Sequence, residues 1–405
     1  MAFDNEQDAD VVVIGAGPAG IVAAYEIASQ TNLRVLMMER IKRLHDSREV
    51  ANGFMGGSSR SDLKLFLTPG FGGEIQNRYC IADVVEFLEF FGKRRIRRVK
   101  GRLTDKQVGW LESFGVQVDE PEVGQMTTEH LGAVEKALYW WLNKRVDFRS
   151  NCGLVNLARE RGGFRLETNV GTFKTRYCVL AMGRGGTRWL VESGIGAKVE
   201  ETSYDLGVRL EFPQAILADL VGKNPNFRLR FGDFRTTAIS EHGTVELENV
   251  YGTQTANGRT MAGRLTGNSN FGLLRTMKSQ KPLEEVARAA QIVNVLADNQ
   301  LLKESPARLL NGTSQLNYLP EFVAIKEGLQ KIFEIWPAIR SRGSLYAPEA
   351  RLNAGRVQTS AHFETDVPGL YCGGDMGGQT KSFVQACAAG MLAGRHIVCK
   401  ETGLH

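Results

Sequence analysis

Val11-Val12-Val13-Ile14 is a run of apolar residues with no polar interruption, which a strand needs when both its faces are buried. Gly15-Ala16-Gly17-Pro18-Ala19-Gly20 follows at once. Ile21 to Ser29 then has small-residue, helix-forming character, and Val35 to Met38 is a second apolar strand that closes on Glu39. Strand, glycine turn, helix, strand and acid form a βαβ unit of about 30 residues.

Further along, Gly153–Arg159, Phe164–Thr168 and Gly171–Thr175 are short patterned segments broken at Arg161-Gly162-Gly163 and Asn169, as in a small β-meander. Tyr177-Cys178-Val179-Leu180-Ala181 is a buried strand, and Met182-Gly183-Arg184-Gly185-Gly186 a second glycine turn. From 199 to 349 the pattern changes to alternating strands, such as Leu206–Phe212 and Phe227–Phe231. Two amphipathic helical windows fall there, around 282–303 and 321–335. Near the end the first style returns: strand Leu370-Tyr371-Cys372, turn Gly373 to Gly378, and a helix from Ser382 to Cys399. The fold class expected is α/β: a Rossmann-like, three-layer domain from 1–198 and 350–405, with a mixed β/α substrate domain inserted at 199–349.

Composition is that of an ordinary folded protein, with 42% apolar and 23% charged residues in 405. Only glycine stands out: 45 residues, about 11% against a usual ~7%, with just 11 prolines, so these are not linker glycines. The net charge is +5, yet residues 93–106 (KRRIRRVKGRLTDK) alone carry eight bases and one acid. The remainder is nearly neutral, which argues against a nucleic-acid binder built on a basic face; the run itself is expected to be a solvated helix or loop. Six cysteines at 80, 152, 178, 372, 387 and 399 form no CxxC pair, and no metal site is expected. Acids at Asp4, Glu6, Asp8 and Asp10 do not suit a signal peptide, and the longest apolar stretch, Val11 to Tyr25, is too short to span a bilayer. A reduced, cytoplasmic protein is the expectation.

The glycines at 15, 17 and 20 have the GxGxxG spacing, after a strand and at the opening of a helix, with an acid 19 residues beyond at Glu39. In that context Gly15 makes the tight turn, Gly17 lets a pyrophosphate reach the backbone, and Gly20 brings helix and strand together. Ala16, Pro18 and Ala19 complete the loop whose helix N-terminus faces the phosphates. Glu39 is placed to accept from the adenosine ribose hydroxyls, with Arg40 beside it. Three glycine turns after three apolar strands suit a long extended cofactor better than NAD, so FAD is expected. The further candidates are Ala181, Gly183 and Arg184 in the second turn, and Gly374, Asp375, Gly378, Gln379 and Thr380 in the third. Asp375 suits a ribityl hydroxyl.

With these residues in view, the fingerprint, the VLAMG of 179–183 and the GLYCGGDMGG of 369–378 resemble the FAD-binding flavoproteins of the glutathione-reductase-like superfamily. Within it, the stretch from Gly53 to Leu65, the segment Gly183 to Leu190, Leu206 to Glu211 and Asn268 to Phe271 are similar to the bacterial FAD-utilising dehydrogenase group. That resemblance implies bound FAD, with Ser61 among its contacts, an inserted substrate domain, and redox chemistry at carbon or nitrogen. The SSRSDLK stretch departs from the group, which has smaller residues before its serine, so the pocket beside the flavin is expected to differ.

A second strand-linked GxGxxG is missing, and so is a CxxxxC, which speaks against a dedicated NAD(P)H domain and against dithiol exchange. No GxSxG or P-loop appears. Lys64 and Lys381 are the candidate catalytic residues, cations beside the cofactor turns that could stabilise negative charge on a reduced ring. Ser382 lies next to the same turn, His362 is a lone candidate base, and Asn257, Asn268 and Asn270 are amides suited to a polar substrate. The reading is an FAD-dependent oxidoreductase acting on a small organic metabolite. Its alternatives are a single-component monooxygenase with transiently bound NAD(P)H, and a non-catalytic or RNA-modifying flavin protein supported by the basic run 93–102 alone. Electron partner, substrate and oligomeric state are not written in the sequence.

Overall fold

The computed structural model describes residues 9–42, 53–60, 62–99, 102–200, 203–221, 226–250, 252–260, 265–351 and 355–403. The chain divides into two compact units. The first is Met1–Arg97, Gly124–Glu200 and Gly355–His405; the second is Arg98–Val123 and Glu201–Ala354.

In the first unit, strands Asp147–Ser150, Val35–Glu39, Ala9–Ile14, Gly171–Leu180 and Leu370–Cys372 lie side by side and parallel. Their uninterrupted apolar character follows from burial on both faces. Val11 and Val13 join one core with the helices, while Val12 and Ile14 join another with Leu157, Leu166 and Phe173 of the meander. The meander and the strand after it, which the sequence pattern separates, share one element. Gly171–Leu180 pairs antiparallel with Gly163–Thr168 through its first half and parallel with Ala9–Ile14 through its second. Arg176 and Tyr177, which interrupt the apolar pattern, sit at this change of partner and bond Glu401.

Two helices meet closely on one face of this sheet, Pro18–Gln30 and Phe383–Thr402. Their small residues allow it: a Cβ on Gly390 would sit 2.0 Å from the Ala19 carbonyl oxygen, and one on Gly394 2.7 Å from Glu26 Cβ. Ser382 caps the second helix by accepting from Gln385 N–H.

The second unit is built on an antiparallel sheet in the order Leu302–Glu304, Ser344–Arg351, Ser203–Pro213, Asn268–Lys278, Phe234–Thr236, Arg228–Phe231, Gln117–Asp119. Leu206, Val208, Leu210, Phe271 and Leu273 point to one face and pack with Val286 and Val293 of helix Pro282–Leu296 and Leu329 and Ile332 of helix Lys326–Ile335. Segment Arg98–Val123, expected within 1–198, groups with this unit because Gln117–Asp119 pairs with Arg228–Phe231 as its edge strand. Among the described residues, no helix is long and apolar enough to cross a membrane, and no cluster of three or more His, Cys, Asp or Glu could hold a metal ion.

Candidate functional site

The parallel register sets Ile14 opposite both Met38 and Leu180, and Leu180 opposite Cys372. All of these strands therefore end at one edge, and the turns after Ile14, Leu180 and Cys372 gather there. In open α/β sheets this carboxyl edge is where ligands bind.

The three glycines of the first turn are needed for different reasons. Gly15 has φ +102°, and a Cβ on it would lie 2.3 Å from the Ala181 carbonyl oxygen. A Cβ on Gly20 would lie 2.0 Å from the Gly15 carbonyl oxygen. Both are demanded by the fold. Gly17 is not: its φ is −75°, open to any residue, and among the described residues the only neighbour of an added Cβ is the Ala181 oxygen at 4.0 Å. Gly17 is also the N-cap of helix Pro18–Gln30, with no side chain capping it and no acid in its first turn. Pro18 at the first helical position costs no hydrogen bond there. Among the described residues, the result is open space beside a helix N-terminus that carries no side-chain cap and no acid in its first turn.

Glu39 closes the second strand and is buried, the residue being 7% exposed. Its Oε2 accepts from Ala16 N–H at 2.9 Å and its Oε1 from Ile41 N–H at 3.1 Å, which ties the acid to the glycine turn. Each oxygen keeps a lone pair for a ligand. Arg40 follows it, exposed. Ala181 donates its N–H to Ile14 O, and Gly183, at φ +69°, opens the second turn.

In the third turn Gly374 and Gly378 both have positive φ. Asp375 Oδ2 accepts from Arg184 Nε at 3.2 Å, so the second and third turns are joined by an ion pair. Thr187 Oγ1 donates to Met376 O at 2.7 Å and adds a second tie. The side chains of Gln379 and Thr380 are turned into the protein. Thr380 Oγ1 donates to Gly374 O, and Gln379 Nε2 donates to Val357 O and Thr359 Oγ1.

The C-terminal turn carries a partner segment that has no sequence signal. Glu74 N–H donates to Gln379 O, while Lys381 and Ser382 N–H both donate to Gly72 O. Gln385, fully buried, clamps the segment with both ends of its amide: Oε1 accepts from Ile75 N–H and Nε2 donates to Ile75 O, each at 3.0 Å. An amide that bonds a residue 310 positions away is invisible to any local pattern.

A profile of the Thi4 family matches residues 2–45, the segment that contains the glycine turn and Glu39. No curated protein matches the chain. Among solved structures, the chain is similar to NikD, an amino acid oxidase of nikkomycin biosynthesis, at 18% identity and a TM-score of 0.35; the match covers 52% of this chain and spans 59% of NikD. It is similar to glycine oxidase from Geobacillus kaustophilus at 11% identity and a TM-score of 0.45, over 97% of this chain and 95% of that one. The p-nitrophenol 4-monooxygenase PnpA from Pseudomonas putida DLL-E4 matches at 13% identity and a TM-score of 0.44, over 97% of this chain and 79% of that one.

Of the remaining candidates, Lys381 is exposed in the turn before the last helix, and Lys64 is half-buried in strand Leu63–Phe66. Ser61 lies outside the described residues. His362 is exposed and stacks on His396, centroids 4.5 Å apart, and is joined through His396 to Tyr371 and Glu364. Burial pushes the Cys178, Cys372 and Cys387 thiols up, so at neutral pH they stay protonated. The basic run is spent in part on acids: Arg95 pairs with Glu89 and Arg98 with Glu122. In the second unit Asn270 is fully buried against Arg209, and Asn257 bonds Glu248.

Proposed function

We propose that the first unit holds FAD and that the chain is an FAD-dependent oxidoreductase acting on a small organic molecule. One observation carries the reading: Gly17 has no backbone or packing reason to be glycine, and the space its missing side chain leaves lies in front of an uncapped helix N-terminus. That space fits a pyrophosphate, and the buried Glu39 carboxylate beside it fits a ribose diol. The likeness of its motifs to glutathione-reductase-like flavoproteins agrees with this assignment.

In this reading the backbone of Ala16 to Gly20 holds the phosphates. Glu39 is held rigid by the Ala16 and Ile41 N–H groups and orients the adenosine. Ala181, Gly183 and Arg184 line the middle of the path, and Asp375, oriented by Arg184, takes a ribityl hydroxyl. Gly374, Gly378 and the backbone of Gln379 and Thr380 present N–H groups to the ring end. FAD, when bound, supplies the electron transfer itself. Lys64 and Lys381 are proposed as the cations that favour negative charge at that end. The inserted 199–349 region is proposed to select the substrate.

The test is the identity of the bound chromophore. The purified protein is expected to be yellow and to release stoichiometric FAD on denaturation. FMN is excluded by the reading, since Glu39 serves an adenosine that FMN lacks. Release of NAD or S-adenosylmethionine in its place overturns it.

A further inference from the structure

Helix Arg78–Gly92 of the first unit is held by one face and carries aromatic rings on the other. Cys80, Ile81, Val84, Phe87, Leu88 and Phe91 are buried, and the Phe87 and Phe91 rings meet Tyr25 edge-on at 4.9 and 5.4 Å. Tyr79, Ala82, Glu86 and Phe90 follow one another at helical spacing on the exposed side. Tyr79 is 78% exposed and Phe90 68%. A rise of 1.5 Å per residue sets these two rings about 16 Å apart along one rigid rod.

Beyond the helix the chain turns with its cations outward. Lys93 ends the helix in the left-handed conformation, at φ 48°. Glu89 staples the turn that follows: Oε1 accepts from Ile96 N–H at 2.9 Å, Oε2 pairs with Arg95, and Ile96 itself is buried. Lys93, Arg94, Arg95 and Arg97 are all exposed, and Lys93 and Arg94 fall three and four residues after Phe90. Arg78 is exposed at the other end of the helix, next to Tyr79. Glu86 is the exposed acid of this face, and Asp83 pairs with Arg395. The start of the basic run is thus the rim of a face that carries exposed rings.

Exposed rings with lysine and arginine around them match one kind of surface in both their parts. Aromatic rings settle at the boundary between acyl chains and headgroups, and cations gain from negative headgroups close by. A nucleic acid would use the cations, but it also needs rings on which bases stack, and residues 93–106 contain none. A second copy of this chain would set like charge against like.

We propose that Tyr79, Phe90 and the exposed cations Arg78, Lys93, Arg94 and Arg97 dock the protein on an anionic lipid surface, with helix Arg78–Gly92 lying along it. The face belongs wholly to the first unit and does not depend on the flavin reading. The test is sedimentation of the whole purified protein with vesicles of phosphatidylcholine alone and of an equal mixture of phosphatidylcholine and phosphatidylglycerol. The protein is expected to pellet with the mixed vesicles, to stay in solution with the neutral ones, and to be released by high salt. Lys93→Asn combined with Arg94→Gln should weaken binding about 25-fold, at about a factor of five for each cation near the bilayer. Asparagine suits the left-handed backbone at 93, and Arg95 stays on Glu89, so the turn is kept. Phe90→Ser should weaken binding about 10-fold. Tyr318→Ala, which removes a ring 87% exposed in the second unit, is the control and should bind like the parent. The FAD content of all these proteins should be equal, so a failure of the flavin reading is seen separately. No pelleting with mixed vesicles, equal binding to both compositions, or unchanged binding by the cation or Phe90 variants overturns the proposal. So does a loss in Tyr318→Ala as large as in Phe90→Ser, or tighter binding of polyuridine RNA than of mixed vesicles at the same salt. A dimer in solution that Phe90→Ser dissociates also overturns it, since the face would then belong to a second copy.

Discussion

Replacing Gly17 and Gly390 in parallel separates a glycine kept for a ligand from one kept for the fold. Gly390→Ala puts a Cβ 2.0 Å from Ala19 O, 2.8 Å from Ala19 C and 3.0 Å from Ala19 Cα. All three are backbone atoms, so no side chain can rotate away and helix Phe383–Thr402 must move off helix Pro18–Gln30. Overpacking of this kind costs about 1–3 kcal/mol. Gly17→Val meets nothing closer than 4.0 Å at its Cβ and keeps an allowed φ. Its structural cost is only that of a poor N-cap, about 0.5–1 kcal/mol. The ligand cost is larger. A branched side chain in that space separates the pyrophosphate from the N–H groups of the loop, and two charge-assisted bonds at about 1.5–3 kcal/mol each amount to about 10²–10⁴ in affinity. Thermal melts of the apo forms and flavin titrations of each variant measure the two effects independently. Gly390→Ala should melt lower in the apo form; Gly17→Val should melt close to the parent as apoprotein and be colourless as isolated. A Gly17→Val protein that elutes with a full flavin spectrum refutes the placement. So does an apo form as destabilised as Gly390→Ala, since the glycine would then serve the fold.

Four more outcomes are expected. Glu39→Ala should weaken FAD by about 1–3 kcal/mol, and the loss should exceed that of Glu39→Gln, which still accepts one of the two backbone N–H groups; flavin titration checks it. Lys64→Met and Lys381→Met should slow flavin reduction about 10²–10³-fold while FAD stays bound; if stopped-flow traces of both match the parent, backbone N–H groups at Gly377 to Thr380 take over the assignment. Glu349→Gln should cost about 3–5 kcal/mol in denaturant unfolding, because Arg209 is left buried without its counter-charge. His396 is held below its usual range by burial and by His362 and Lys400, so the unfolded chain takes up the proton first. Stability should therefore fall as pH drops below about 6.5, and His396→Gln should flatten that part of a melting-temperature profile.

What was legible in the sequence follows a physical rule. The strand and turn from Val11 to Gly20, the acid at Glu39 and the strand Leu370–Cys372 are local: each is an apolar run, a backbone demand or a cap, and nearby residues decide it. The same holds for helix Pro282–Leu296, which the 3.6-residue period marks within the window 282–303, although Ala297 to Asn299 turn the chain sooner. Illegible features depend on partners far away in the chain. Gln117–Asp119 reads as an unremarkable polar stretch, and only pairing with Arg228–Phe231 makes it part of the second unit. Gln379 and Thr380 look like free polar groups beside a turn until Val357, Thr359 and Gly374 take up their side chains.

The three glycines of the fingerprint show how far local reading reaches. All three match one spacing, and the spacing cannot say which of them the fold itself requires. Gly15 and Gly20 are fixed by the Ala181 and Gly15 carbonyls, contacts made whether or not anything binds. Gly17 alone has no such close contact among the described residues, and the FAD proposal rests on that difference. The arginines of the second unit show the limit from the other side. Arg209, Arg228, Arg235 and Arg351 come from four separate strands and are scattered over some 140 residues, so no window shows them as a group. Register alone assembles them on one face of the sheet. In both units the contacts that decide what a residue does are set by the fold and lie outside its own stretch of sequence.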